Sequence, residues 1–178
     1  MKKQILINGQ NNKYQLKKIV EEKSTEPKEK KKLVDSFFYN KEMNDNVLEY
    51  LSQIGKSSLT TETENEMCKN IQTKLNGYKN QDIKKTIHDD SLFVKSHQVV
   101  DLLMKQQMKC FYCNSMCLLF HKYVREKSQW TLDRIDNSKG HWIDNVILSC
   151  LECNLSRRNR NKDKFYQGKN MNIVKIHE

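Results

Sequence analysis

Apolar positions in the first half of the chain recur at helical spacing. From Ser36 onward Phe37, Phe38, Met43, Val47, Leu48, Leu51 and Ile54 form one stripe, and Gly55 closes it. A second helix is predicted over 63–76. Thr63 serves as its cap, Glu66 follows three residues later as in a capping box, Met67, Ile71 and Leu75 share a face, and Gly77 is the stop. A third starts at Ser96, carries Val99, Val100, Leu102, Leu103 and Met104, and runs into Lys109. The period then changes. Trp130 to Ile135 alternates as a strand, Asp136 to Gly140 (DNSKG) is turn chemistry, and Asn145 to Ser149 is a β-branched returning strand. Residues 154–166 lack breakers, carry many long polar side chains and read as one helix. At the start, 4–20 has weak periodicity and reads as a hairpin or frayed helix, and the charged run 21–32 (EEKSTEPKEKKK) reads as an exposed linker. The pattern predicts an α+β protein. It divides into a weakly ordered charged segment 1–35, a helical accessory region 36–95, a strand–loop–strand–helix domain 96–168 and a tail 169–178.

Composition narrows the class. One proline and five glycines in 178 residues are too few for the many turns of a β-sandwich. The net charge of +10 points to a polyanionic partner, of which nucleic acid is the commonest. The charge is concentrated late. From Lys105 onward fourteen Lys and Arg face seven Asp and Glu. No apolar run is long enough to span a bilayer, and the first twenty residues lack the apolar core of a secretory signal. An intracellular protein with no membrane partner is expected. Its thiols would stay reduced, so its six cysteines point to metal before disulfides.

Cys110-Phe-Tyr-Cys113 and Cys150-Leu-Glu-Cys153 are two CxxC pairs about forty residues apart. Four thiolates complete a tetrahedral shell, so Zn²⁺ is expected in a closed, structural site. Cys117 lies outside that complete set. Cys68, inside the second helix with no nearby partner, is expected to be a small core residue, and His88 and His97 surface residues.

Between and after those pairs stand Asp133-Arg-Ile-Asp-Asn137, Gly140, Asp144-Asn-Val146 and Cys150-x-x-Cys-Asn154. In that order they resemble the HNH endonucleases of the ββα-metal (His-Me finger) superfamily, in the variety pinned by two CxxC pairs. The second pair, with Asn directly after it, is similar to that of a phage Holliday-junction resolvase. The resemblance covers 99–166. It implies a zinc-bound ββα-metal finger that cleaves DNA with one divalent ion, Mg²⁺ or Mn²⁺. Asp133 would be the first ligand of that ion, Asn154 the second, and Asn145 the residue that braces the loop, with Asp144 capping the turn. A carboxylate and an amide oxygen also suit Mg²⁺ on chemical grounds. The alternative for Asp133 is a strand-edge residue paired with a lysine, and for Asn154 a simple helix N-cap; the ligand reading is favoured for both.

One position departs from the family. Arg134 stands where the general-base His is usual, and guanidinium cannot accept a proton at neutral pH. Three readings follow. His141 across the loop supplies the base; metal-bound hydroxide or another residue does so while Arg134 clamps the phosphate; or catalysis is lost and DNA binding kept. His141 itself is either that base or a solvent-facing loop residue. Arg157, Arg158, Arg160, Lys162 and Lys164 are spaced to meet successive phosphates. A DNA endonuclease is expected, against a DNA-binding zinc module without catalysis or an RNA-directed nuclease.

Overall fold

The computed structural model describes residues 27–30, 41–56 and 61–171. The expectations for 4–20 and 36–40 lie outside them. Two short helices, α1 (Lys41–Asp45) and α2 (Val47–Gln53), precede the long α3 (Thr61–Lys84) and α4 (Ser96–Lys105). The strands β1 (Trp130–Arg134) and β2 (Val146–Cys150) follow, joined by a loop and a 3₁₀ turn over Ile143–Asn145. Two helices, α5 (Leu151–Arg157) and α6 (Lys162–Asn170), close the described chain. Helices and a two-stranded antiparallel sheet make an α+β architecture.

One apolar cluster joins the two halves. Met43, Val47 and Leu51 pack with Met67, Ile71 and Leu75 of α3 and Val99 and Leu103 of α4. The cluster continues into Tyr112, Leu119, Trp130, Leu132 and Leu148. These side chains are almost wholly withdrawn from water, and each contributes about 1.5–3 kcal/mol by burial. The stripe from Ser36 therefore works as expected where it is described, although Asn46 divides it into two helices.

Several boundaries differ from the sequence reading. Helix α3 starts at Thr61, so Thr63 lies within it, and it passes through Gly77 to end at Lys84. A helical glycine costs only about 1 kcal/mol. The anchors beyond Gly77, Tyr78 and Asp82, are both buried and outweigh that cost. Cys68 points outward and is exposed, not part of the core. His97 is exposed, while His88 is half-buried. The stretch 154–166 is two helices, because Arg158 turns left-handed (φ +54°) and Asn161 caps a new start by accepting from the backbone N–H groups of Asp163 and Lys164. Residues 27–30, expected as linker, lie against the cysteine-bearing two-stranded unit formed by residues 109–170, the finger of this fold. Lys30 N–H donates to the Lys122 carbonyl (3.1 Å), and Glu29 pairs with the Lys122 ammonium (2.6 Å).

The strands pair in register Trp130↔Cys150, Leu132↔Leu148 and Arg134↔Val146. Among the described residues the other edge of β1 meets only the isolated Leu118↔Gln129 bridge, where Trp130 N–H donates to the Leu118 carbonyl (3.1 Å), and the rest of that edge leaves backbone groups to be satisfied. Side chains do this. Lys74 donates to the Trp130 carbonyl, Leu132 N–H donates to Tyr78 Oη (3.0 Å), and Arg157 donates to the Arg134 carbonyl. Asn70 accepts from Trp130 Nε1 (3.2 Å), and Asp82 reaches the loop beyond. Asn70, Lys74, Tyr78 and Asp82 fall at four-residue intervals, one line along α3. That polar line seals the strand, while Met67, Ile71 and Leu75 beside it fill the core.

Candidate metal centre and active-site cleft

The sulfurs of Cys110, Cys113, Cys150 and Cys153 all lie within 4.8 Å of one another. In a tetrahedron of about 2.3 Å metal–sulfur bonds the sulfurs stand about 3.8 Å apart, so the four are arranged to close on one ion. Local structure places each. Cys110 and Cys113 flank a tight turn in which Asn114 is left-handed (φ +57°) and Cys110 N–H donates to the Ser115 carbonyl (2.9 Å). Cys150 ends β2, and Cys153 lies in the first turn of α5. Hydrogen bonds from the Cys117 and Cys150 thiols hold Cys110 far below the usual thiol range. The hydrogen bond to Cys110 pushes Cys150 up, and burial pushes Cys153 up to about 12. Without a cation one thiolate is favoured and its neighbours stay protonated; a bound metal would stabilise all four. The donor set therefore fits a soft, tetrahedral ion such as zinc. Cys117 is buried near Cys110 but is not one of the four.

A cleft of about 550 Å³ opens between α3 and the finger. The finger contributes Thr131, Asp133, Arg134, His141, Asn154 and Arg158, and α3 with the residue after it contributes Lys74, Tyr78, Gln81 and Lys85. Lys85, Arg134 and Arg158 make the lining cationic. Burial, with the charge of Lys30, pushes Lys74 down to about 7.

His141 is not a solvent-facing loop residue, being 3% exposed. Its Nδ1 lies 2.8 Å from Asp82 Oδ1, its backbone N–H donates to Asp82 Oδ2 (2.6 Å), and its ring stacks on Tyr78 with centroids 4.5 Å apart. Nε2 has no hydrogen bond to a described residue. Burial holds the imidazole below its ordinary value, with Arg134 and Lys85 acting the same way and Asp82 opposing them. Arg134 donates to the Lys139 carbonyl (3.2 Å) and stands 3.8 Å from Asp82 Oδ1. Asn145 is buried; its amide donates to the carbonyls of Asp136 and Gly140 (2.9 Å each), and its Oδ1 accepts from Asp136 N–H (2.9 Å). That side chain holds the loop that carries His141. Asp144 is exposed and caps nothing, since the 3₁₀ turn has no side-chain cap.

Asp133 and Arg157 depart from their expected roles. Arg157, read as a phosphate contact, is 1% exposed. Its Nε and Nη2 donate to Asp133 Oδ2 (2.6 Å) and Oδ1 (2.9 Å), and Tyr112 Oη donates to the same Oδ2 (2.7 Å). A guanidinium thus already fills the place of a cation at Asp133. Asn154 lies mid-helix, and its Nδ2 donates to Thr131 Oγ1 (3.1 Å) and the Leu132 carbonyl (3.4 Å). As placed, Asp133 and Asn154 do not fit a Mg²⁺ or Mn²⁺ site, because Mg²⁺ needs carboxylate oxygens free of a competing positive charge. Of the remaining basic series, Arg158 lines the cleft. Arg160 lies over the Phe165 ring (4.6 Å) and Lys162 over Phe111 (5.2 Å), while Lys164 is exposed.

Asp82, Tyr78, Lys74 and Tyr112 were not singled out from the sequence. The available signal was the four-residue spacing of Asn70, Lys74, Tyr78 and Asp82 across Gly77. In comparisons with known proteins, no family model, curated protein or solved structure matches the chain.

Proposed function

We propose that the chain is an HNH-like nuclease of the ββα-metal kind, hydrolysing phosphodiester bonds in DNA, with zinc pinning the finger through Cys110, Cys113, Cys150 and Cys153. One observation carries the reading: a buried imidazole whose Nε2 has no hydrogen-bond partner among the described residues, beside Arg134, in a cation-lined cleft. Nε2 takes a proton from water as the water oxygen attacks phosphorus. The Arg134 guanidinium faces the charge that grows on the non-bridging oxygens. The P–O bond to the leaving alkoxide breaks, and solvent protonates that alkoxide. Lys85 and Arg158 hold the flanking phosphates. No step uses a divalent ion at Asp133.

A plasmid-nicking assay on dialysed protein, with and without added Mg²⁺ or Mn²⁺, tests this. His141→Ala should lose about 10²–10⁴ of the rate, with DNA affinity and zinc content unchanged. Full activity in that variant removes His141 as the base. Activity that requires Mg²⁺ and is abolished by Asp133→Ala would restore Asp133 as a ligand and require Arg157 to move aside. The engagement of Asp133 by Arg157 and Tyr112 favours a second reading, a DNA-binding zinc module without catalysis. Salt-sensitive binding with no nicking of DNA, and none of RNA in a parallel reaction, would select it.

A further inference from the structure

We infer that Asp82, on α3 and outside the finger, is the positioning residue that sets the tautomer and orientation of His141. This rests on His141 being the base of the nuclease reading, but the geometry stands by itself.

Asp82 is fully buried, and an unpaired carboxylate there would be costly. Its two oxygens grip one residue at two points, Oδ2 taking the His141 backbone N–H (2.6 Å) and Oδ1 lying against Nδ1 (2.8 Å). An ionised carboxylate only accepts hydrogen bonds, so Nδ1 must be the donor. The ring proton then sits on Nδ1, and Nε2 keeps its lone pair, the state a general base requires. Tyr78, one helical turn before Asp82, stacks on the ring at an interplanar angle of 25° and fixes its plane. Val94 N–H donates to the His141 carbonyl (3.0 Å) and holds the backbone from the third side. Gly140 makes the approach sterically possible. A Cβ there would come within 2.7 Å of the Ile87 carbonyl oxygen and 3.0 Å of Asp82 Oδ2. The charged and titratable groups facing the imidazole are Asp82 and Tyr78 from α3, Lys85 just beyond it, and Arg134 from β1. The helical region is therefore part of the site, and the finger alone would carry an imidazole with no defined tautomer.

Asp82→Asn is the informative change. The His141 backbone N–H can only donate, so the amide oxygen must face it and the amide NH₂ must face Nδ1. The ring can answer only by accepting at Nδ1 and moving its proton to Nε2. Nitrogen-15 NMR of the full-length, zinc-loaded protein with labelled histidine reads this directly, alongside the nicking assay. Wild type should show His141 as the Nδ1–H tautomer, and Asp82→Asn as Nε2–H. The variant's kcat should fall about 10²–10⁴-fold at unchanged KM. An Nε2–H tautomer in wild type overturns the inference and needs no variant to fold. So does an Asp82→Asn protein that keeps Nδ1–H and full activity. If wild type cleaves nothing while the tautomers behave as stated, the nuclease reading fails and the positioning role of Asp82 stands.

Discussion

The finger and helix α3 face each other across the cleft, and their polar groups are satisfied in opposite ways. Within the finger the partners are mostly its own. Four cysteines converge, Asn145 closes its own loop, and Arg157 neutralises Asp133. On α3 the polar line Asn70, Lys74, Tyr78 and Asp82 spends its hydrogen bonds on the finger. The finger is thus held by local pairs and by a cysteine cluster suited to a metal ion, whereas α3 is held by what it touches. Damage to the finger should abolish the domain, and damage to the inward face of α3 should spare the finger while misaligning the cleft.

The largest expected effect is metal removal. Structural zinc contributes about 10–16 kcal/mol of apparent binding free energy to small fingers. Chelation should collapse the near-ultraviolet signal of Trp130 while much of the helical signal of α3 persists. Elemental analysis should give about one zinc per chain. Cooperative loss of all helix on chelation would show that the two regions are one unit, and the comparison would break.

Next comes the buried ion pair. Arg157→Ala leaves Asp133 uncompensated and should cost about 3–5 kcal/mol in urea denaturation. Arg157→Ala with Asp133→Ala should recover part of that loss, because no unpaired charge remains. Arg158→Ala, one residue away and exposed, should cost under about 0.5 kcal/mol. Equal costs for Arg157 and Arg158 would mean that the pair does not form.

Acid titration samples the fit between the regions. Burial pushes His121 down to about 4, with Lys30 and Lys74 adding to it and the Tyr123 carbonyl and Glu126 opposing. Burial lowers His141 as well. Unfolded histidines bind a proton below about 6.5, so the folded chain binds fewer protons in this window. Stability present above pH 6.5 is therefore lost as pH falls toward about 4, by up to about 3 kcal/mol for His121. Replacing His121 with Gln should flatten that limb of the denaturation profile.

Two glycines give a smaller contrast of opposite sign. Nothing lies within 4 Å of a Cβ placed on Gly77. Gly77→Ala should therefore stabilise by about 0.4–1 kcal/mol through helix propensity. Gly140→Ala meets backbone at 2.7 Å and should destabilise by about 1–3 kcal/mol, and it should lower nicking further by moving His141 away from Asp82. The smallest effect is electrostatic. If Arg158 meets a phosphate, Arg158→Ala should reduce the salt slope of DNA binding by about one, and Arg157 should contribute no such step.

The features legible in the sequence were those written at short range. The CxxC pairs, the strand β1, the DNSKG turn and, where described, the apolar stripes each depend on spacing within a few residues, and each is found, although β1 is buried along its whole length and not on alternate residues. Tertiary structure decided the rest. Gly77 reads as a helix stop because local propensity says so, but buried Tyr78 and Asp82 carry α3 past it. Arg157 and Arg158 are the same residue type side by side. One is buried and the other exposed, because Arg157 ends α5 facing β1 while the chain turns left-handed at Arg158 and carries it away. The grip of Asp82 on His141 spans 59 residues, and no local rule couples positions that far apart. Spacing determined which groups this protein carries. Their protonation states and partners come from packing, since burial, a fixed acceptor and a neighbouring charge act only after distant segments have met.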